Sequence, residues 1–462
     1  VRHFDLVIIG TGSGNSILDP RFDDWNVAIV EKGVFGGTCL NVGCIPTKMF
    51  VHTADLANAP AAGARLGVDA RLTGVRWPEV RDRIFGRIDP IAEGGRRYRA
   101  EECANVTVYA GEGRFVGSKR LAVSTGSGED EVITADRFVL AAGSRPIVPD
   151  VVGIEQVGFH TNEDVMRLAE LPRRMVILGS GFVATEFAHV FGSFGVDVTL
   201  VARSDLLLRG QDLDVATRFT ELAERRWDVR RNRKAVRAER DGDVTRLHLE
   251  GPDGAEVVEG EALLVAVGRR PNSDLLNLGA TGVTTHPDGR VVVDCHQRTE
   301  VDGIYALGDL SSPYQLKHVA NHEARVVQHN LLHPDAPVST DHRFVPHAVF
   351  SSPQVASVGL TEQQARARGV RYVTATQQYA GIAYGWAMED TTGFCKLLAD
   401  PADGRLLGAH IIGPQAPTLI QPLVQAMHFG LDARSMARGQ YWIHPSMPEL
   451  VENALLNLPL DD

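Results

Sequence analysis

Phe4-Asp5-Leu6-Val7-Ile8-Ile9-Gly10-Thr11-Gly12-Ser13-Gly14 is an apolar run that breaks into glycines. Strands covered on both faces carry nearly continuous aliphatics, so the run reads as a buried parallel strand entering a tight turn. A short helix should follow, ended early by Pro20, and Val27-Ala28-Ile29-Val30 then forms a second strand that stops at Glu31. The layout returns 169 positions further on, counting from Gly10 to Gly179. There Met175-Val176-Ile177-Leu178 runs into Gly179-Ser180-Gly181-Phe182-Val183-Ala184, a helical stretch follows, and Val196–Val201 closes the unit. Two βαβ dinucleotide-binding units are therefore expected in one chain.

Glycines at Gly10 and Gly12 permit the turn and let the backbone approach a pyrophosphate, whose charge suits a helix N-terminus. Glu31 stands where a carboxylate accepts from both ribose hydroxyls. Asn15 occupies the third glycine position, with Gly14 beside it, so looser helix packing is expected there. The second turn has the full pattern Gly179-x-Gly181-x-x-Ala184, yet Ala202 and Arg203 replace the acidic residue that would serve NAD. Arg203 and Arg209 could instead fork around a 2′-phosphate, which only NADP carries. NADPH is the expected reductant.

The most specific segment is Gly36-Gly37-Thr38-Cys39-Leu40-Asn41-Val42-Gly43-Cys44-Ile45-Pro46-Thr47-Lys48. Thiols five positions apart can bridge if the backbone coils between them, and Pro46 suits the first part of a helix. A helix N-terminus and Lys48 should together favour a thiolate. Zinc would need two further ligands, and Cys103, Cys295 and Cys395 supply no second pair, so no metal is expected. Two inert core cysteines are the plainer alternative. Near the C-terminus, Trp442-Ile443-His444-Pro445-Ser446-Met447-Pro448-Glu449 offers a histidine to protonate a leaving thiolate and a carboxylate to orient it.

Two other patterns point away from chemistry. His318, His322 and His329 fall on one helical stretch without metal-site spacing, and Arg225–Arg240 is basic with only Trp227 as an aromatic. Both are read as core or solvated helix faces. The 462 residues carry a net charge of −11, which excludes a global basic surface for nucleic acid or an acidic membrane. No apolar stretch approaches the ~20 residues of a membrane span, and no leader-like segment opens the chain, so a cytoplasmic location is expected.

Four segments are expected: 1–150 and 271–340 as two parts of a first dinucleotide-binding domain, 151–270 as a second, and 341–462 as an α+β domain. Strands such as Ala262–Val267, Ile304–Leu307, Phe394–Leu398 and Leu407–Ile412, with helices over Pro414–Gly430 and Pro448–Leu456, carry that division. The fold class is thus α/β, with two Rossmann-like units and a C-terminal α+β domain.

Two dinucleotide turns, a C-x4-C pair and a late His–Glu together resemble the flavoprotein disulfide reductases over essentially the whole chain. The resemblance implies FAD in the first unit, held by Gly10, Gly12, Gly14, Glu31, Gly37, Thr38, Gly143, Gly308, Asp309 and Ala320. It implies NADPH at Gly179, Gly181, Ala184, Arg203, Arg209 and Gly268, and a Lys48–Glu186 pair beside the isoalloxazine. By the same resemblance Cys44 stays against the flavin, Cys39 attacks a small-molecule disulfide, and the C-terminal domain forms a homodimer in which His444 and Glu449 serve the partner's thiols. Within the family, Arg203 and Arg209 argue against an NAD-linked lipoamide dehydrogenase, and glutathione reductase shares the chemistry. A flavin-bearing redox sensor without turnover is the remaining alternative, disfavoured by Cys39, Cys44, His444 and Glu449 together.

Overall fold

The computed structural model describes residues 1–126, 128 and 130–461. They divide into two compact units, one of residues 1–47, 79–147 and 268–342, the other of residues 48–78, 148–267 and 343–462.

The first unit is built on a seven-stranded sheet in the order Val106–Ala110, Val27–Glu31, Arg2–Ile9, Glu131–Leu140, Arg120–Ser124, Glu112–Gly117. Ile304–Ala306 also pairs in parallel with the end of Glu131–Leu140, Tyr305 opposite Val139. The first four strands are mutually parallel, with Ile8 opposite both Ile29 and Val139. Successive side chains on a strand face opposite ways. Accordingly Val7 and Ile9 pack with Phe115 and Phe138, while Leu6 and Ile8 pack with Phe22 and Val327. Burial on both faces is what the unbroken aliphatic run encodes. The expected first helix is reduced to two single 3₁₀ turns, Gly14–Ile17 and Pro20–Phe22. Leu18 is extended between them, Pro20 has no N–H to continue a ladder, and Asp19 caps the second turn by accepting from Arg21 N.

The second unit holds a parallel sheet in the order Asp228–Arg230, Asp197–Val201, Arg174–Leu178, Ala262–Val265. An antiparallel meander of Lys234–Asp241, Val244–Gly251 and Gly254–Gly260 belongs to the same unit. Its third sheet is antiparallel: His347–Val349, Val355–Gly359, Leu406–Ile412, Phe394–Ala399, Val373–Gln378. Helices Gln421–Phe429, Ala433–Arg438 and Glu449–Leu456 contribute Leu423, Met436 and Leu450 to the core against that sheet. The basic run is not the expected helix face. Helix Leu213–Ala223 has ended, and Arg230, Arg231 and Arg233 lie on or between strands with carboxylate partners in Glu256, Asp205 and Glu224. Among the described residues no helix is long and apolar enough to cross a membrane.

Candidate functional site

The first glycine turn is closed by contacts that only glycine permits. Gly10 has φ +101°, and a Cβ there would stand 2.3 Å from Ala141 O. A Cβ on Gly14 would meet Ala141 Cβ at 2.8 Å and Ile8 Cγ2 at 3.0 Å. Gly14 thus provides the close packing that the Asn15 position was expected to lack, which corrects the expectation of a looser turn. Glu31 organises the turn from the next strand. Its Oε2 accepts from Thr11 N at 2.9 Å and Thr11 Oγ1 at 2.6 Å, and Oε1 accepts from Gly33 N at 2.8 Å. Each carboxylate oxygen has two acceptor sites, so Oε1 retains one for a ribose hydroxyl.

The same threonine ties the turn to the cysteine segment, because Thr11 Oγ1 accepts from Gly36 N at 2.9 Å. Gly37 has φ +71°, and a Cβ on it would lie 2.7 Å from Gly12 Cα. Helix Gly37–Asn41 carries Thr38 and Cys39, and helix Cys44–Gly63 begins at the second cysteine with Pro46 in its first turn. Asn41 Nδ2 donates to Phe35 O at 3.0 Å and Gly37 O at 3.1 Å, pinning the loop that precedes the pair. Cys44 is the more exposed of the two cysteines.

A hydrogen bond to Cys44, then burial, then the neighbouring Cys44 charge push the Cys39 thiol well above its usual range. Cys44 stands at a helix N-terminus, where the dipole favours an anion. Lys317 opposes the rise at Cys39 by its charge. Its Nζ donates to Ser13 Oγ at 2.8 Å, and Ser13 Oγ donates to Asn321 Oδ1 at 3.1 Å. The Lys48 ammonium is paired with Glu186. Lys317 was missed as a site residue, although the scarcity of lysine, at only 32, 48, 119, 234, 317 and 396, was a usable signal.

A second cradle in the first unit gathers residues distant in sequence. Gly308 has φ +68°, donates its N–H to the buried Glu323 Oε2 at 2.7 Å, and would bring a Cβ to 3.4 Å from Ala320 Cβ. Asp309 Oδ2 accepts from Ser144 Oγ at 2.7 Å, and that oxygen accepts from Arg269 Nε at 2.8 Å. Gly143 and Gly268 both have positive φ, and their carbonyls accept from Asn272 N and Ile147 N at 3.0 Å each. Ser311 Oγ is buried with no hydrogen-bond partner among the described residues, a polar atom prepared for a ligand. Tight glycines, a spare Glu31 acceptor site and this unpaired hydroxyl fit a flavin dinucleotide.

In the second unit, Gly179 has φ +143° with a would-be Cβ 2.2 Å from Ala266 O, whereas Gly181 is open and opens helix Phe182–Ser193. Ala184 is buried at the close approach to Gly179. The strand after this helix leads into a loop held on the turn: Leu208 N donates to Ser180 O at 2.8 Å, and Ser180 and Ser204 hydroxyls lie 3.5 Å apart. Arg203 and Arg209 are exposed on that loop, and among the described residues neither has a hydrogen-bond or ion-pair partner. Nearby Arg230, Arg231 and Arg233 are all paired. Two unmatched guanidiniums beside a dinucleotide turn fit a 2′-phosphate.

Glu186, on the same helix, is almost fully buried and accepts from Lys48 Nζ at 2.6 Å and Phe350 N at 2.9 Å. Lys48 Nζ also lies 4.7 Å above the Phe350 ring, so the charge pair is fixed from two sides. His444 and Glu449 form a further pair: Nδ1 is 2.6 Å from Glu449 Oε1, and Glu449 Oε2 accepts from Ser446 N at 3.0 Å. The imidazole is 71% exposed and the carboxylate 15%, so the pair presents its histidine outward. The His444 hydrogen bond holds the Glu449 carboxyl below its usual range. With Nδ1 engaged, Nε2 is the nitrogen that can deliver a proton.

Two dinucleotide turns, a hydrogen-bonded thiol pair and an oriented histidine define an oxidoreductase of the dithiol–disulfide couple. The chain belongs to the pyridine nucleotide-disulphide oxidoreductases: residues 4–324 match that family, and residues 345–455 match its dimerisation domain. It is 54% identical over 463 residues to mycothione reductase of Mycobacterium tuberculosis, covering 98% of this chain and 99% of the relative. Dihydrolipoyl dehydrogenase of Corynebacterium glutamicum is 32% identical, covering 98% and 97%. Among solved structures, the Cu(II) complex of the HOCl-induced flavoprotein disulfide reductase RclA from Escherichia coli superposes with a TM-score of 0.87 at 28% identity, covering 99% of both chains.

Proposed function

We propose that this chain is an NADPH-dependent flavoprotein that reduces mycothiol disulfide to mycothiol. FAD and NADPH are its cofactors, and the flavin, when bound, accepts a hydride from NADPH and passes two electrons to the cysteine pair. The observation that carries the reading is the hydrogen-bonded Cys39–Cys44 pair, tied through Thr11 to the first dinucleotide turn. Residues 1–150 and 271–340 would hold FAD, residues 151–270 NADPH, and residues 341–462 the second subunit of a homodimer. NADPH as reductant suits a cytoplasmic enzyme.

In the reductive half, two electrons open the Cys39–Cys44 disulfide, leaving Cys44 as the flavin-side thiolate and Cys39 as the attacking thiol. Cys39, once deprotonated, attacks one sulfur of the substrate disulfide, forming a mixed disulfide and releasing one thiolate. His444, oriented by Glu449 and serving the partner's thiols, takes the Cys39 proton before the attack and gives it to that departing thiolate. The Cys44 thiolate then attacks Cys39, which restores the protein disulfide and releases the second thiolate, protonated by solvent. Glu186 of the nucleotide-binding helix holds Lys48 in a fixed charge pair, and Arg203 with Arg209 selects the 2′-phosphate.

The test is NADPH consumption by the purified holoenzyme with mycothiol disulfide, glutathione disulfide and lipoamide. Turnover dominated by mycothiol disulfide, with NADPH preferred over NADH, is the expected outcome. Preference for either other disulfide would overturn the substrate and keep the dithiol chemistry.

A further inference from the structure

The loop between strand Asp197–Val201 and helix Leu213–Ala223 is held at both ends, by different parts of the second unit. Its first half is tied to the nucleotide-binding sheet, since Ala202 O accepts from Arg233 N at 2.9 Å and Leu208 N reaches Ser180 O. Its second half is tied to the antiparallel C-terminal sheet and the helix Glu362–Ala367. Gln211 and Asp212 are both buried. Ser357 Oγ donates to Gln211 Oε1 at 2.9 Å, His347 Nε2 lies 2.9 Å from Gln211 Nε2, and Gln363 Nε2 donates to Gln211 O at 2.8 Å. Glu362 N donates to Asp212 Oδ2 at 2.9 Å.

At the centre is Lys396, on strand Phe394–Ala399 and only 3% exposed. Its ammonium donates to Asp212 Oδ1 at 2.9 Å, Asp214 Oδ2 at 2.6 Å and Glu362 Oε2 at 2.6 Å. All three donor positions are used, and each points at the segment that ends the arginine loop or at the helix that braces it. Between the two ties, Leu208 has φ +50°, a conformation that a branched side chain keeps only when its surroundings impose it. Arg209 is the next residue. A buried ion cluster is weak evidence for stability, because a well-packed apolar replacement is often as stable, but it does specify geometry.

We propose that Lys396, acting with Gln211, is a positioning residue for pyridine-nucleotide selection: it holds the 208–212 turn in the shape that presents Arg209 to the 2′-phosphate. This rests on the reading that Arg203 and Arg209 bind that phosphate. Neither Lys396 nor Gln211 needs to touch the nucleotide; each fixes the backbone from which Arg209 extends.

Holoenzyme variants Lys396→Met, Gln211→Ala and the conservative Lys396→Arg are titrated calorimetrically with adenosine 2′,5′-bisphosphate and with adenosine 5′-monophosphate. Lys396→Met and Gln211→Ala should bind the bisphosphate about tenfold more weakly, the worth of one charge-assisted hydrogen bond, and the monophosphate within about twofold of wild type. The NADPH/NADH ratio of kcat/KM should fall by about the same factor. The KM for the disulfide should stay unchanged, and Lys396→Arg should restore most of the discrimination. Gln211→Ala keeps the question answerable if Lys396→Met does not fold. Parallel weakening of both adenosine ligands, or of neither, in a folded variant overturns the proposal. Arg209→Ala separates the two levels. If it leaves bisphosphate affinity intact, the two-arginine reading falls and this proposal with it; if it lowers affinity while Gln211→Ala does not, only the positioning role falls.

Discussion

The two glycine turns share a sequence pattern and differ in what surrounds them. The turn at Gly10 leads into single 3₁₀ turns, its acidic strand end is already bonded to Thr11 and Gly33, and the cysteine helix is drawn onto it through Gly36 and Gly37. The turn at Gly179 leads into a helix of twelve residues, and its loop carries two guanidiniums with no partner. The first turn is tightly packed and internally bonded. The second is more open, and on the proposed reading its two arginines meet a 2′-phosphate. On the proposed reading a common backbone motif binds a dinucleotide, and the end of the following strand selects which one.

The sharpest way to break this contrast is at the thiols tied to the first turn. Cys39→Ser should reduce disulfide turnover on the order of 10⁴-fold, as loss of a nucleophile does, while stopped-flow flavin reduction by NADPH stays near wild type. Retained turnover would detach the cysteine pair from the reaction. At the open turn, Arg203→Ala with Arg209→Ala should lower the NADPH/NADH ratio of kcat/KM about 100-fold, two charge-assisted hydrogen bonds at about tenfold each, with NADH turnover little changed. A ratio that does not move would leave the second turn without a selector.

The turns can also be compared by adding one methyl group. Gly10→Ala forces a Cβ into Ala141 O at positive φ and should cost about 3 kcal/mol, with loss of bound flavin, whereas Gly181→Ala enters open space at negative φ and should cost about 1 kcal/mol or less. Urea unfolding of both variants gives the difference; equal losses would mean that the first turn is no tighter than the second. The smallest effect is expected at His444–Glu449. Glu449 has a lowered carboxyl, so the stability it contributes is present above the ordinary carboxylate value of about 4.3 and is lost as pH falls through the lower folded value. Glu449→Gln should therefore be less stable than wild type at neutral pH and converge with it in acid; curves that stay parallel down to pH 2 would show that the pair adds nothing to folding.

Much of this site is readable from the chain because its chemistry is local. Strand, turn and following strand lie within thirty residues, and Cys39 and Cys44 or His444 and Glu449 are five positions apart, so backbone geometry brings each set together. Other features depend on residues far apart in sequence. Gly14 replaces the missing third glycine because Ala141 and Ile8 press on it, and no local pattern reveals that neighbour. Lys317, 278 positions from Cys39, acts on that thiol from another helix, which no short-range spacing reveals.

By itself, then, the sequence determined the α/β class, both dinucleotide turns, the redox-type cysteine spacing and the arginines at the second strand end, because periodicity and short-range spacing encode them. Tertiary structure alone decided which lysine faces which acid, which glycine bears the close contact, and how the loop of Arg209 is braced by Lys396 nearly two hundred positions on. Those outcomes rest on Coulomb and packing interactions, which depend on distance in space and not on separation along the chain.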